Sequence, residues 1–205
     1  MKKCAIPTRH YFLFDMNRVI RFMTISDLIW VSGTGLLGPI FAIFIVDFID
    51  GGDAIVAGVA ASIYLFTKSV LQIPAASFID KIRGENDDFW VMVIGSTIGA
   101  VLPLAYLIIN TPMELYIVQF IFGAVIAFTF PSFMAVFTRH IDKHKEGREW
   151  GVYFMLTDFS AAMAASMGGA IAYTLGFQIL IIVSVVISLI GVGFVWFIRP
   201  DMRKT

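Results

Sequence analysis

Apolar residues dominate six stretches of the chain, roughly 26–48, 54–78, 89–109, 115–137, 150–174 and 178–198, and short polar gaps separate them. A helix rises about 1.5 Å per residue and the hydrocarbon layer of a bilayer needs about 20 apolar residues to be crossed, so every stretch is long enough. The pattern predicts an all-α membrane protein with six transmembrane helices. Residues 1–25 then form a segment before the transmembrane domain, residues 26–198 the domain itself, and residues 199–205 a tail.

The gaps are of two kinds, and the two kinds alternate. Of the 15 Lys and Arg residues, Lys68 alone falls inside an apolar stretch. Lys2, Lys3, Arg9, Arg18 and Arg21 precede the first stretch; Lys81 and Arg83 follow the second; Arg139, Lys143, Lys145 and Arg148 follow the fourth; Arg199, Arg203 and Lys204 follow the sixth. The remaining gaps hold acids and turn formers: Asp50, Gly51, Gly52 and Asp53; Asn110, Thr111, Pro112 and Glu114; and Gly176. Basic residues collect on the cytoplasmic side of a membrane, so both termini are expected in the cytoplasm of a multi-pass protein of the plasma membrane.

Composition narrows the function. The chain is 59% hydrophobic and 15% charged, against roughly 45–50% apolar and about 25% charged in soluble domains. Nucleic acid is not an expected partner, because the basic residues are spread over short loops where anionic lipid headgroups are nearer; the lipid bilayer is the expected one. The single cysteine, Cys4, excludes an intrachain disulfide. All three histidines, His10, His140 and His144, lie in predicted cytoplasmic segments, and no Ser–His, paired-Asp or His-Glu-x-x-His arrangement occurs within the apolar stretches. Neither an enzyme nor a cofactor is expected. His140 and His144, four apart, would suit a metal on one helix face, but two solvated loop histidines are the commoner case, and no metal site is assigned.

Charge inside a span costs about 2.5–3.5 kcal/mol near mid-membrane and needs a partner or water. Asp27, Lys68 and Asp158 are such charges. Counted from the cytoplasmic ends of their spans, Lys68 lies about 15 Å and Asp158 about 12 Å deep, which puts opposite charges at one level. They suit a static ion pair, a gate that breaks during a cycle, or a lysine reaching water alone. Asp27, nearer the start of the first span, reads either as a solvated acid at the headgroup level or as a proton carrier. Trp30, Tyr64 and Gln119 are polar or amphipathic groups that either face a ligand or serve in packing. Pro39 and Pro131 are expected to kink the first and fourth helices, and their matching places suit two three-helix units of inverted topology. The small residues of the run 160–170 suit close helix packing.

Three segments resemble the N-terminal half of a major facilitator superfamily transporter. The end of the second stretch, LQIPAASFIDKIRG, is similar to the family's loop motif Gly-x-Leu-x-Asp-Arg-x-Gly-Arg, with Asp80 at the Asp, Lys81 at the first Arg and Phe78 at the Leu. Ala76 replaces the first Gly, and Arg83 and Gly84 stand in swapped order. AASMGGAIA in the fifth stretch resembles the family's Gly-Pro-x-x-Gly-Gly segment, with Ala164 and Ala165 in place of Gly-Pro. Gln119 to Gly123 is similar to Arg-x-x-x-Gly, with Gln119 replacing the Arg associated with proton coupling.

The resemblance implies a 3+3 inverted-repeat bundle equal to one half of a twelve-helix transporter. Residues 201–205 leave no room for a second bundle in this chain, so the expectation is a half-size transporter completed by a second copy as a homodimer that works by alternating access. Helices two and five would then meet their counterparts across the dimer, with Lys68 facing Asp158 of the other copy and Asp80 and Lys81 near the start of its fifth helix. Asp27, Trp30, Tyr64 and Gln119 are the candidates for contact with a proton or with a small-molecule substrate of apolar, amphipathic or drug-like kind. The alternative is a non-transporting membrane subunit or half of a heteromeric carrier.

Overall fold

Lipid offers no partner to a backbone amide, so a spanning segment must satisfy its own hydrogen bonds, and a helix does so within one segment. The computed structural model describes residue 13 and residues 16–81 and 84–202. Cys4, His10 and Arg83 lie outside the described residues. Among those described, six helical segments are long and apolar enough to cross a membrane: Arg18–Phe48, Ala54–Lys81, Asn86–Leu107, Pro112–His140, Glu146–Leu175 and Phe177–Asp201. The helices are α1 (Arg18–Gly35) and α2 (Phe41–Phe48) in the first span, α3 (Ala54–Lys81), α4 (Asn86–Val101), α5 (Pro112–His140), α6 (Glu146–Leu175) and α7 (Phe177–Val195). No strand occurs among the described residues.

Local chemistry sets the boundaries. Asn17 caps α1, its side chain accepting from Ile20 N at 2.9 Å. Thr111 and Glu114 form a capping box at the start of α5, with Pro112 in the first turn, where its missing N–H costs nothing. Gly176, with φ +86°, turns the chain between α6 and α7 in a single residue, a conformation that side chains with a Cβ rarely adopt. In the first span the helix is interrupted before Pro39, which begins a short 3-10 turn over Gly38–Ile40. Pro131, by contrast, sits inside an α5 that runs on past it to His140. Helix α1 also starts well before the expected position 26, because Val19, Ile20 and Met23 are buried against the rest of the bundle.

Packing follows the inverted repeat. The first span lies on the sixth and fifth, and the fourth lies on the third and second, the same arrangement with the two triplets exchanged. Small residues let the backbones approach. On the α1–α7 crossing Ser26 Oγ donates to Gly191 O at 2.8 Å and Ser184 Oγ to Gly33 O at 2.7 Å. On the α1–α6 crossing Ser32 and Ser160 share a hydrogen bond, and Gly168 lies against the backbone of Leu36. The small-residue run of α6 thus packs one face on α1.

The interior is packed at both ends and hollow between them. At the end carrying the basic residues, Ile20, Met23, Phe89, Phe137, Tyr153 and Ile198 belong to one buried cluster. At the opposite end, Phe44, Ile45, Tyr106, Leu115 and Ile181 belong to another. Gly123 illustrates how tightly α5 rests on α3: a Cβ there would come within 2.6 Å of Tyr64 O. Gly123→Ala is therefore expected to destabilise the bundle by about 1–3 kcal/mol, the usual cost of overpacking. Gly193→Ala, which meets nothing within 4 Å, should be neutral or stabilising by up to about 1 kcal/mol. Thermal unfolding of the two purified variants in one detergent checks the contrast.

Candidate functional site

The hollow middle consists of two cavities that share Tyr64. One, of about 270 Å³, is lined by Thr34, Leu37, Phe41, Pro103, Gln119 and Phe122 among others, and it is almost wholly apolar. The second, of about 250 Å³, lies toward the basic end and is lined by Asp27, Trp30, Lys68, Ser96, Phe130 and Tyr153 among others. Apolar walls with a few convergent polar groups are the ordinary make-up of a small-molecule site. All four sequence candidates for ligand contact therefore meet in one continuous region: Asp27 and Trp30 in the second cavity, Gln119 in the first, Tyr64 in both.

Each polar group is held by a neighbour. Tyr153 Oη donates to Asp27 Oδ2 at 2.7 Å, a charge-assisted bond of the kind worth about 1.5–3 kcal/mol. Trp30 Nε1 donates to Ser96 O at 3.2 Å. Gln119, 5% exposed, donates from Nε2 to Tyr106 Oη at 3.1 Å. Lys68 Nζ stands 5.3 Å from the centroid of the Phe130 ring, within cation–π range. No ion pair within 4.0 Å joins Lys68 to any carboxylate among the described residues.

The intramembrane charges are placed differently from the sequence expectation. Asp27 is not a freely solvated acid, because it lies roughly 14 Å along α1 from Arg18, in a cavity wall where Tyr153 binds it. Lys68 lines the interior cavity beside Asp27. Asp158 is exposed on α6, and no ion pair within 4.0 Å joins it to Lys68. Asp80 and Lys81 are exposed at the last turn of α3. Tyr153 escaped the sequence reading: its only signal was a hydroxyl five positions before Asp158, and nothing local showed that α6 packs on α1.

The basic end holds a second set of contacts. Arg139 pairs with Asp88 at 2.5 Å, and His140 Nε2 lies 3.6 Å from Glu85 Oε2. His140 is thus a half-buried residue in the last turn of α5 rather than a solvated loop group, and His144 lies beyond the helix end, so the two share no face. Asn17 Nδ2 donates to His140 O, tying α1 to α5. Lys145 Nζ donates to Asp142 Oδ2 at 2.7 Å, which holds the Asp142 carboxyl below the usual carboxylate range. These bonds join the ends of the first, third and fourth spans and leave α3 out.

The outer surface is two-sided. Beyond Gln178 in its first turn, the large exposed residues of α7, such as Ile182, Val186, Leu189 and Ile190, are apolar, as lipid requires. The exposed stripe of α6 alternates Phe154, Phe159, Met163 and Met167 with Asp158, Ser166 and Thr174. That of α3 mixes Phe66, Val70 and Ile73 with Ser62, Ser69 and Ser77. These two helices are also the least buried of the six spans.

Comparison with curated proteins gives no match for the chain. The family model described as Major Facilitator Superfamily matches residues 23–205, which takes in all six spans. With its six apolar helices in two exchanged triplets and that match, this integral, multi-pass membrane protein belongs to the major facilitator superfamily of membrane transporters.

Proposed function

We propose that the chain is one half of a secondary active transporter, that two copies form the carrier as a homodimer, and that it moves a small molecule by alternating access across the plasma membrane with both termini in the cytoplasm. The observation that carries this reading is the cavity among the spans in which Asp27 and Lys68 face a common space with no ion pair between them. A structural lysine and aspartate at that depth would pair; a working site keeps them apart. Asp27 is the proton candidate, held by Tyr153, and Trp30, Tyr64 and Gln119 are the substrate contacts.

The exposed faces of α3 and α6 support the dimer. Asp158 lies roughly 18 Å from the start of α6 and Lys68 roughly 20 Å from the end of α3, at one level by helical rise. A carboxylate at the depth of Asp158 is costly against lipid and suits a protein partner or a water-filled cleft. In the dimer, Lys68 meets Asp158 of the other copy and gates the basic side. Asp80 and Lys81 lie against the start of the other copy's α6, where the helix dipole favours the Asp80 carboxylate. Glu149 itself takes no part, being fully buried in its own bundle.

Native mass measurement of the detergent-extracted particle should give twice the chain mass; a monomer, or a particle containing a different second chain, overturns the homodimer. Within the dimer, Lys68→Ala and Asp158→Ala should each cost about 3 kcal/mol of dimer stability, while the double variant costs much less than their sum, because a lone buried charge is worse than none. Dimer dissociation is the readout, and additive effects would remove the pair. In proteoliposomes, Asp27→Asn is expected to bring proton-driven uptake down to that of protein-free vesicles while substrate exchange survives. Loss of both would mean that Asp27 serves folding or substrate binding rather than coupling.

A further inference from the structure

Lys68 is the ionic group of the cavity that lacks a counter-charge or a hydrogen bond among the described residues. Its ammonium has three donors, and the Phe130 face answers only its charge, not those donors. One helical turn away on α3, Tyr64 marks the junction with the apolar cavity, so a cationic point and an apolar chamber lie end to end. We infer that the site takes an amphipathic organic anion, its apolar or aromatic body among Leu37, Phe41, Pro103 and Phe122 and its carboxylate on Lys68. The inference rests on the transport site proposed above and names the substrate class for it.

The charge pattern favours an anion over the alternatives. A neutral ligand would offer Lys68 no charge to attract, and a cation would meet its repulsion. Asp27 accepts the Tyr153 hydrogen bond on Oδ2 and keeps Oδ1 for a further donor, but a cation anchored there would share the cavity with the Lys68 ammonium. Asp27 is also the other charged group lining this cavity among the described residues, and an ionised Asp27 repels a bound anion. Loading is therefore easiest when Asp27 carries a proton, which links the anion to the coupling ion. A carboxylate on Lys68 also competes with Asp158 of the other copy, which links loading to the gate.

Equilibrium dialysis of the purified full-length protein against 4-phenylbutyrate, 4-phenylbutyramide and 4-phenylbutylamine tests the charge preference without requiring transport. The carboxylate should bind at least about tenfold more tightly than the amide or the amine, the scale of one charge-assisted bond. Lys68→Met should erase the difference, Lys68→Arg should retain it, and Asp27→Asn should tighten the carboxylate. Equal binding of the three probes, a preference for the amine, absence of saturable carboxylate binding, or a preference that survives Lys68→Met would each overturn the inference. Retention by Lys68→Arg separates lost charge from lost folding. Flux is scored separately: Lys68-dependent anion binding without flux sinks the transport reading and leaves the ligand class standing.

Discussion

Hydrocarbon solvates neither a charge nor an unpaired amide, and this constraint organises the protein at every level. It makes the spans helical and sends the loop charges to the ends. It also leaves an ionisable group in the middle with three places to go: against another side chain, into a water-filled cavity, or against a second protein surface. Asp27 takes the first two, bonded to Tyr153 at the cavity wall. Lys68 lines the same cavity, over the face of Phe130. Asp158 is exposed on its own bundle.

Helices in lipid gain little from burying apolar surface against one another, so close packing and interhelical hydrogen bonds must hold the bundle. Gly33, Gly191, Ser26 and Ser184 do this for α1 on α7, and Gly168 for α6 on α1. Aromatic and aliphatic clusters then close both ends. Bulky rings, Phe41, Phe122, Phe130 and Phe133, line the two cavities between them. A rigid frame around a hollow centre holds the polar groups at set positions. The ion pairs at the basic end fasten the first, third and fourth spans, while α3 and α6 are the least buried of the six spans.

Much of the site was legible because intramembrane polarity is rare enough to be informative. Asp27, Trp30, Tyr64 and Gln119 stood out as polar groups in apolar runs; Asp27 and Trp30 line one cavity, Gln119 another, and Tyr64 both. What each of them touches was not legible. Tyr153 lay in an aromatic-rich stretch where an interfacial anchor looks the same as a hydrogen-bond donor. Lys68 and Asp158 share a depth, which sequence can count, but the direction in which each points around its helix is fixed by which neighbours the helix has. His140 looked like a loop residue because α5 continues past the apolar stretch, and its burial against Glu85 depends on a residue 55 positions away.

The sequence by itself determined the class, the six spans, the sidedness of the basic residues and the short turn at Gly176, since each depends on chain length, local hydropathy or one residue's φ. Only the tertiary structure decided that Asp27 is bound by Tyr153, that Lys68 looks inward while Asp158 looks outward, and that the two ends are packed around an empty middle. The reason is physical: transfer into a membrane is a sum over residues and can be read along a line. A contact between helices depends on their rotation and crossing, and those are fixed jointly by small residues scattered through every span.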